Sequence, residues 1–596
     1  MSNAEKLHNL RHSLAHVLAS AVMEMFPKAQ LGIGPVIENG FFYDFLLPRS
    51  LTPADLAHLE KRMRALVKEK LSFERQDLST HEAKTFFDHE HQPFKVELIK
   101  DIEKHGTTVF DEIENEIPNT KYQIPNTISL YKTGKFTDLC RGGHVGNTSE
   151  IDPQSFKLSK ISGAYWRGDQ KNPQMQRIYG LAFESKKELD EYVKLQEEIG
   201  KRDHKILGPK LELFMFHHTA PGMPYWLPKG MIVMNQLIDF WRKSHIKRTY
   251  QEIASPILNK KELYQTSGHF EHYWEEMFTS KTLDKEEYGV KAMNCPNAMI
   301  VFGSKPHSYK DLPLRLSDTD PLHRFELSGV LNGLLRTREF RQDDAHIYLT
   351  EDQIEEECER LFEIVEEFYS LFNLEYSFRL GTRPEGFLGD VKTWDKAEAI
   401  LQKILKNSKK KYSVAEKDGA FYGPKIDIIM TDVLGRNWQM GTIQLDFQQP
   451  KRFNLTYTDK DGSKKTPVVI HRVIYGSLER FIALLIEHYA GAFPTWLSPV
   501  QVKILPITDG QNKYAESVKV ELMENNIRVE LDDRAESVGK KIREAAMEKV
   551  PYMLIIGEKE AKAKSVSVRG RNQKDLGSQK LEKFIKQILE EIKKRA

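Results

Sequence analysis

The sequence predicts a multidomain α+β protein, and three observations support this fold class. The chain has 596 residues, which corresponds to roughly three or four domains. Its 40% hydrophobic and 29% charged residues are typical of a globular chain with several cores. The composition changes near residue 184 and again at "FPTWLSPVQV", where prolines bracket a turn, so two domain boundaries are expected there.

The N-terminal region contains two polar patterns with the same spacing. "RHSLAH" places His12 and His16 four residues apart, on one face of a predicted helix. "TDLCRGGH" gives Cys140 and His144 that spacing too. Chance gives roughly 0.7 HxxxH pairs in a chain with 20 histidines, so the first pattern alone predicts little. Four such side chains could also bind zinc.

The next segment is highly charged, and it predicts an exposed helix that links two domains over residues 184–205. The region that follows, residues 206–497, contains a long helix at "GMIVMNQLIDFWRKSHIKR" and strands at "IDIIMTDV" and "WQMGTIQLDF". Alternation in the last strand places Thr442, Gln444 and Asp446 in one polar row, which can line a site. This pattern predicts a largely antiparallel sheet.

The last region, residues 498–596, alternates strands and helices. Strands are predicted at "VQVKILPI", "IRVEL", "YMLIIG" and "SVSVRG", and the final helix at "SQKLEKFIKQILEEIKKR". This pattern predicts a small α/β domain. Residues 501–596 contain 21 Lys and Arg against 16 Asp and Glu, a balance that permits contact with nucleic acid without requiring it.

The stretch "HRFELSGVLNGLLRTREFRQDDAHIY" predicts two antiparallel strands joined by a loop. Arg324 is expected on the first strand and Arg336 in the loop, where their guanidinium groups could clamp a polyphosphate. Phe340 could stack on a base, and Glu326 could accept a hydrogen bond from an exocyclic amine. Arg480 near the start of the helix in "IHRVIYGSLERFI" could complete the clamp. The alternative, exposed arginines paired with surface charges, has about equal weight on the residues alone.

These segments resemble the class II aminoacyl-tRNA synthetases. "HRFE…R" is similar to their motif 2, "GSLERFI" to motif 3, and "QEIASPIL", with Pro256, to motif 1, which forms the dimer interface in that class. The segments "AMNCPNAM", "RQDDAHIY", "AFYGPKID", "GTIQLDF", "IHRVIYGSLERFI" and "FPTWLSPVQV" resemble, in order, those of the threonyl-tRNA synthetase family. The likeness extends over nearly the whole chain.

The resemblance implies a domain order. An editing domain is expected over residues 1–183, the linker helix over 184–205, a class II catalytic domain built on an antiparallel sheet over 206–497, and an α/β anticodon-binding domain over 498–596. The family often begins with a small ubiquitin-like domain, which we expect to be absent here because His12 lies close to the start.

The resemblance also implies the residues of the synthetic site. ATP is expected at Arg324, Glu326, Arg336, Phe340 and Arg480, with Arg324, Arg336 and Arg480 as catalytic residues; threonine at Asp344, Tyr422 and Gln444; and one zinc ion at Cys295, His346 and His471. One cysteine and two histidines with an open position are typical of a catalytic zinc site. Without the resemblance, three unrelated buried polar residues would be the preferred interpretation, with zinc at about one in ten.

The paired HxxxH and CxxxH patterns resemble the editing domain of threonyl- and alanyl-tRNA synthetases. The implied editing residues are His12, His16, Lys95, Asp138, Cys140 and His144. The family usually has CRGPH where this chain has Gly143, and we expect a changed loop rather than a lost function. A second zinc ion is not predicted, because the threonyl family generally hydrolyses the ester here without a metal.

Two residues of the C-terminal region, Glu560 and Arg569, match anticodon-facing positions of the family. Ala535 stands in "DDRAES" where the family commonly has asparagine, so one anticodon contact is expected to be weaker.

The predicted function is a threonine–tRNA ligase that edits seryl-tRNA, with ATP, Mg²⁺, threonine, threonine tRNA and a second copy of the chain as partners. Another class II synthetase, for instance prolyl, is a rival that the cysteine–histidine set argues against. A second rival is an inactive synthetase-like protein that binds tRNA or regulates. Such a protein should have lost clamp arginines or metal ligands, and all are present.

The same sequence predicts a cytoplasmic location. Three cysteines, Cys140, Cys295 and Cys358, form no disulfide framework and fit a reducing compartment; Cys358 is expected to be structural, inside an acidic helix. The N-terminus is polar and lacks a secretory apolar region, and no stretch approaches the ~18 apolar residues of a membrane span.

Overall fold

The structure is a computed structural model that describes residues 2–106, 127–169 and 171–595. The chain divides into two compact units, Met1–Glu197 and Glu198–Ala596. Within the described ranges, no helix combines the length and the apolar character needed to cross a membrane.

The first unit is built on an antiparallel sheet. Its helices are α1 (Asn3–Met25), α2 (Pro53–Lys68), α3 (Thr80–His89) and α4 (Pro93–His105), and α5 (Lys186–Arg202) begins in it. Its strands are β1 (Gln30–Leu31), β2 (Val36–Ile37), β3 (Gly40–Leu46), β4 (Phe73–Leu78), β5 (Ile128–Thr133), β6 (Phe136–Leu139), β7 (Phe156–Tyr165) and β8 (Gln174–Ala182). The main sheet has the order β1-β3-β8-β7, with β2 paired to β3, and β4-β5-β6 form a second sheet.

Helix α1 has an apolar face that covers this main sheet. Leu14, Leu18 and Val22, at a spacing of four, are fully buried in one core with Phe41 and Phe45 of β3. The capping box of Ser2 and Glu5 holds the first turn of the helix.

The second unit contains a nine-stranded sheet. Its helices before the C-terminal region are α6 (His204–Lys210), α7 (Pro228–Ile246), α8 (Lys261–Ser267), α9 (His269–Tyr273), α10 (Cys295–Gly303), α11 (Ile354–Ser370), α12 (Val391–Ser408), α13 (Gln449–Arg452) and α14 (Leu478–Tyr489). Its strands there are β9 (Phe214–Met215), β10 (Tyr225–Trp226), β11 (Gln251–Glu252), β12 (Leu258–Lys260), β13 (Thr279–Lys281), β14 (Glu287–Val290), β15 (His307–Ser308), β16 (Leu314–Asp318), β17 (Pro321–His323), β18 (Glu339–Leu349), β19 (Glu375–Gly381), β20 (Tyr412–Ala415), β21 (Lys425–Thr431), β22 (Asn437–Asp446), β23 (Tyr457–Thr458), β24 (Lys464–Lys465) and β25 (Val468–Ser477).

The order of the large sheet is β11-β16-β18-β25-β22-β21-β19-β20, with β17 paired to β18. Only the pairs at its two ends, β11 with β16 and β19 with β20, are parallel, so the predicted antiparallel sheet is confirmed. Ile347, Ile470 and Leu445 lie side by side on its apolar face and share one core with α11. Cys358 lies in α11, inside the acidic helix that was predicted, and it is fully buried in that core.

The C-terminal part of the second unit has its own sheet. Its helices are α15 (Asn512–Glu524), α16 (Val538–Met547), α17 (Glu558–Ala563) and α18 (Leu581–Lys594), and its strands are β26 (Val502–Pro506), β27 (Val529–Leu531), β28 (Tyr552–Ile556), β29 (Ser565–Gly570) and β30 (Asp575–Lys580). The order is β27-β26-β28-β29-β30, parallel for the first three strands and antiparallel for the last two. The predicted α/β architecture is confirmed.

Three local predictions were wrong. Arg324 is not on a strand, since β17 ends at His323, although the Arg324 amide still donates to Arg338 O at 2.9 Å beside β18. The final helix does not include Ser578, because residues 575–580 pair with β29 as an edge strand. The linker helix ends at Arg202 rather than at residue 205, and the side chain of Asp203 caps a new helix, α6.

Candidate active site

One cavity of about 580 Å³ in the second unit collects every residue predicted for ATP, threonine and zinc. These residues are Arg324, Glu326, Arg336, Phe340, Arg480, Asp344, Tyr422, Gln444, Cys295, His346 and His471. They come from segments that are far apart in the sequence. The cavity is therefore a product of the sheet and of the loops at its edge.

Strand register forms the floor of the cavity. His346 of β18 lies directly opposite His471 of β25, and His471 lies opposite Gln444 of β22. Asp344 is two residues from His346, so both side chains are on the same face of β18. The two histidines and the polar side chains expected to bind threonine, Asp344 and Gln444, are therefore neighbours on one face of the sheet.

The three predicted zinc ligands meet at one point. Cys295, the first residue of α10, reaches the two histidines, and the potential ligand atoms all lie within 4.8 Å of one another. None of the three residues is more than 5% exposed. A buried set of one thiol and two imidazoles is a donor set that suits zinc.

The chemistry of these donors also fits a metal ion. His471 Nε2 is 2.9 Å from Asp446 Oδ2, which leaves Nδ1 for a ligand, and a carboxylate behind a ligating histidine is usual in zinc sites. His346 Nδ1 is buried and has no hydrogen-bond partner among the described residues. Burial lowers the pKa of His346 and raises that of the Cys295 thiol well above its ordinary value. A bound metal ion would provide a partner for His346 Nδ1 and would stabilise the thiolate form of Cys295.

The predicted threonine-binding residues are held by neighbouring side chains. Asp344 Oδ2 accepts a hydrogen bond of 3.1 Å from Asn294 Nδ2, next to Cys295 in the chain. The Tyr422 hydroxyl donates to Gln444 Oε1. These contacts fix a carboxylate and an amide beside the cysteine–histidine set.

Two of the arginines predicted to bind ATP lie outside the strands. Arg324 directly follows β17, and Arg336 lies in the loop between β17 and β18. The Arg324 guanidinium carbon is 5.2 Å from the centre of the Phe340 ring, and Arg324 Nε donates to Ala292 O at 3.2 Å. Arg336 pairs with Glu326 at 2.8 Å. The Arg336 side chain is half exposed, and such pairs contribute little to stability, so a phosphate could replace the carboxylate.

Arg480 is held from both sides by main-chain carbonyls. Its Nε donates to Leu335 O and its NH1 to Gln439 O, each at 3.0 Å. Burial lowers the pKa of Arg480, and the nearby Arg336 lowers it further. Two cations held close together in a cavity form a site for an anion.

Sequence reasoning assigned no role in the site to several residues of the cavity. Asn294 and Lys425 line it, and His269 Nε2 is 3.6 Å from Cys295 Sγ. Asp446, the partner of His471, belongs to the polar row predicted for its strand. Alternation therefore placed it on the face of the sheet that carries the site. No spacing in the sequence connects His269 with Cys295.

The predicted editing residues of the first unit also meet. His12 Nε2 and His144 Nε2 are 3.4 Å and 3.2 Å from Cys140 Sγ. The His16 ring centre lies 5.2 Å from that of His12 and 4.5 Å from that of His144. The ligand atoms of the four residues lie within 4.8 Å of one another.

A buried network lies beside this cluster. Lys95 Nζ is 2.6 Å from Asp138 Oδ1 and donates to the Tyr43 hydroxyl at 3.0 Å, and Tyr43 donates to Asp138 Oδ2 at 2.5 Å. Lys95 and Asp138 are each 2% exposed. Two of the three ammonium donors of Lys95 thus have partners among the described residues.

Burial lowers the pKa of all three histidines of the cluster, so their imidazoles are neutral at neutral pH. Burial lowers the pKa of His144 to about 2 and that of His16 well below its ordinary value. Burial raises the pKa of Cys140 to about 12, so this residue is a thiol and not a nucleophilic thiolate. Neutral imidazoles can accept a proton, as general-base chemistry requires.

The loop between Cys140 and His144 depends on glycine. Gly143 has a φ of +85°, and proline is restricted to a φ near −65°. The CRGPH form of this loop cannot adopt the same conformation. The expected loop change follows from this difference.

The two predicted anticodon residues lie in the C-terminal sheet region. Arg569 is on β29, and its Nε is buried without a partner among the described residues. Glu560 is on α17, where its Oε2 accepts the Gly557 amide at 3.0 Å. Neither position by itself shows a role in binding tRNA.

Comparison with protein families identifies three regions. Residues 273–489 match a tRNA synthetase class II core domain of the G, H, P, S and T group. Residues 501–591 match an anticodon binding domain, and residues 128–179 match the threonyl and alanyl tRNA synthetase second additional domain.

Similar proteins agree with these matches. The chain is 50% identical over 584 residues to a threonine–tRNA ligase of Clostridium botulinum and 49% identical over 585 residues to one of Clostridioides difficile, covering 98% of this chain and 88% of each relative. A threonyl-tRNA synthetase structure from Cryptosporidium parvum, titled as its RNA binding domain, is 41% identical with a TM-score of 0.63 and covers 65% of this chain and 98% of its own.

A prolyl-tRNA synthetase of Cryptosporidium parvum has 18% identity and a TM-score of 0.51, so it shares the fold alone. The identity to threonine–tRNA ligases is far higher and extends over nearly the whole chain. The chain therefore belongs to the threonine–tRNA ligase family of class II aminoacyl-tRNA synthetases.

Proposed function

We propose that this protein is an enzyme that joins threonine to its tRNA and hydrolyses seryl-tRNA made in error. One observation carries the synthetic part of the proposal. The residues expected for ATP, threonine and zinc line a single cavity, although they are far apart in the chain.

In the first step, a threonine carboxylate oxygen would attack the α-phosphorus of ATP, and pyrophosphate would leave. Arg324 would hold the α-phosphate and the carboxylate, and Arg336 and Arg480 the γ-phosphate. Phe340 and Arg480 would enclose the adenine. The terminal ribose hydroxyl of the tRNA would then attack the acyl carbon of the adenylate, releasing AMP. Mg²⁺ bound with ATP would neutralise charge on the phosphates.

Cys295, His346 and His471 would hold one zinc ion per chain. When bound, zinc supplies a Lewis acid that can accept the amine and the hydroxyl of threonine. Asp344 would accept a hydrogen bond from the substrate hydroxyl, with Tyr422 and Gln444 beside it. Valine lacks this hydroxyl, and a site built to bind a hydroxyl can reject such an analogue by about 10⁴ or more.

Serine is the harder substrate to exclude, because it keeps the amine and the hydroxyl. A missing methyl group is worth about 1–3 kcal/mol, or roughly 10–200-fold. A second site that removes serine from the tRNA is therefore needed. The buried cluster of the first unit supports this role through its geometry and its neutral groups.

In that site, water would attack the ester carbonyl, and the ribose hydroxyl would leave. The imidazole of His12, whose pKa burial lowers least clearly, can take the proton from water, while His16 and His144, with strongly lowered pKa values, would position that water. An ammonium donor of Lys95 can stabilise the carbonyl oxygen. Asp138 holds Lys95 in place. Cys140 would line the site as a neutral thiol or donate a hydrogen bond. It would not act as a nucleophile, since burial raises its thiol pKa to about 12.

The domain boundaries predicted from the sequence, 1–183, 184–205, 206–497 and 498–596, remain part of this proposal, with the helix of the linker ending at Arg202. The last domain would read the anticodon through Glu560 and Arg569. A homodimer would form around Pro256, where Ile257 and Leu258 are 41% and 55% exposed. Sedimentation at micromolar concentration tests the dimer, and a monomer at that concentration would contradict it. The proposed location is the cytoplasm, and its only support is the proposed function.

ATP–pyrophosphate exchange measured with each of the twenty amino acids tests the synthetic activity. Threonine should give by far the highest rate, and Cys295→Ala should abolish it together with about one equivalent of bound zinc. Cys358→Ala is the matched control, because this cysteine is equally buried but lies in the apolar core. Exchange driven best by another amino acid, or full activity in zinc-free protein, would refute the assignment.

A further inference from the structure

His204 is a fully buried histidine, at the first position of α6, that connects two elements of the second unit. Its Nδ1 is 2.7 Å from Glu487 Oε1, and its Nε2 is 3.1 Å from the Leu334 amide nitrogen. The amide can only donate, so Nε2 must accept and Nδ1 must carry the proton that it donates to Glu487. The imidazole is thus a neutral bridge.

Both partners of His204 belong to elements that carry the arginines of the cavity. Leu334 lies two residues before Arg336, within the short turn that leads into β18. Glu487 lies near the end of α14, and Arg480 lies near the start of that helix. His204 therefore holds the Arg336 loop and the Arg480 helix at a fixed distance from each other.

The loop that carries Arg336 and helix α14 are also joined by a second contact, and the loop packs closely against His204. Arg480 Nε donates to Leu335 O at 3.0 Å, so the helix and the loop are joined directly as well. Gly333 has a φ of +53°, and a Cβ atom there would lie 2.3 Å from His204 Nε2. The loop can approach the imidazole only because this position is glycine.

The other groups around Glu487 keep its carboxylate in place. Arg436, in the turn between β21 and β22, pairs with the second carboxylate oxygen. Arg202 NH1 donates to Glu487 O at 3.3 Å and to His488 O at 3.0 Å, which satisfies carbonyls at the end of α14. Burial favours protonation of Glu487, but His204 and Arg436 outweigh it and lower its pKa, so the carboxylate remains ionised.

The cluster of Asp203, His204 and Glu487 has a spacing that could suit a cation. Both ring nitrogens of His204 are already used, one as donor and one as acceptor. This arrangement favours a positioning role over a metal site.

We propose that His204 is a positioning residue for nucleotide binding: with Glu487 it holds Arg336 and Arg480 at the separation that the phosphates of ATP require. The inference rests on the proposed function, since it assumes that the two arginines bind ATP. It assigns no role to His204 in binding threonine or zinc.

His204→Phe tests the proposal, because phenylalanine fills the space and removes both hydrogen bonds. A buried amide without its acceptor costs the equivalent of roughly 5- to 150-fold in an equilibrium constant. We expect the KM for ATP in threonine-dependent pyrophosphate exchange to rise by about tenfold, while the KM for threonine stays within about twofold. A general loss of structure would not separate the two constants in this way.

His307→Phe is the matched control. His307 is also buried in the second unit, and its Nε2 bonds to Phe302 O at 2.9 Å, away from the loop and α14. Its KM for ATP should stay at the parent value. An unchanged KM for ATP in folded His204→Phe would overturn the inference, and so would an equal rise in both KM values.

Glu487→Gln provides a second measurement if His204→Phe does not fold. Glutamine replaces the charged acceptor of His204 by a weaker, neutral one and presents donors to Arg436. Both contacts of residue 487 therefore weaken, and we expect the KM for ATP to rise about threefold or more. An unchanged value would count against the bridge. Parent enzyme without any threonine-dependent exchange would instead refute the proposed function, and that result is distinguishable because it does not involve the variants.

Discussion

Replacing Asp446 by asparagine should weaken zinc binding without touching a ligand. Asp446 is fully buried, and its Oδ2 is 2.9 Å from His471 Nε2. Its Oδ1 accepts the amides of Gln448 and Gln449 at 2.7 and 3.1 Å. A histidine that binds metal through Nδ1 must carry its proton on Nε2, so all three neighbours of this carboxylate are then donors.

Asparagine cannot accept from all three donors. If its oxygen faces the two amides, its NH₂ group faces His471 Nε2–H; if it is turned, the NH₂ group faces the amides. Either orientation buries a donor–donor contact, which costs about 1–3 kcal/mol. This cost corresponds to the 10- to 100-fold loss of metal affinity that is typical when a carboxylate behind a ligating histidine is changed.

Competition with a chromophoric chelator measures the zinc affinity directly. Asp446→Asn should bind zinc about 10- to 100-fold more weakly than the parent, with a raised KM for threonine. Asp432→Asn is the control, because Asp432 also accepts two amides, of Leu434 and Arg436, at 2.9 Å, but pairs with Arg436 instead of a ligand histidine. If Asp446→Asn holds zinc as tightly as the parent does, the assignment of His471 Nδ1 as a ligand atom is wrong.

Four further outcomes test the two sites and the pH response. Cys140, whose thiol pKa burial raises to about 12, should react with iodoacetamide at neutral pH far more slowly than free cysteine does, and rapid alkylation of folded protein would contradict the neutral thiol. Burial raises the pKa of Glu479 to about 7, so its contribution to stability is complete below its unfolded pKa of about 4.5 and is lost as pH rises through about 7. Glu479→Gln should therefore gain roughly 1–3 kcal/mol over the parent at about pH 8 in urea unfolding, with the gain shrinking towards pH 5; a gain that does not vary with pH would exclude this titration. Alanine at both His12 and His16 should leave threonine charging nearly unchanged while serine-charged tRNA accumulates, and clearance of seryl-tRNA at the parent rate would exclude the first unit as the editing site. Arg569→Ala should weaken charging of tRNA but not pyrophosphate exchange, and equal loss of both would make Arg569 a support of the fold.

Much of the local structure could be predicted from periodicity. The spacing of four between His12 and His16 matches one face of α1, and the period of two in "RQDDAHIY" puts Asp344 and His346 on one face of β18. The predicted strands of the last domain correspond to β26, β27, β28 and β29. Strand β30 was missed because "DLGSQK" lacks apolar and β-branched residues apart from one leucine, so it becomes a strand only by pairing with β29.

The sequence by itself determined the family, the order of the motifs and which side chains of a strand or helix share a face. These features follow from short-range periodicity and from residue identity, which folding does not change. Only the tertiary structure decided which faces meet. His346 lies opposite His471 because of the register of β18 and β25, and Asp446 and His204 acquire their partners from segments 25 and 283 residues away. Such contacts depend on how strands pair and helices pack across the whole unit, and no spacing within a single segment encodes them.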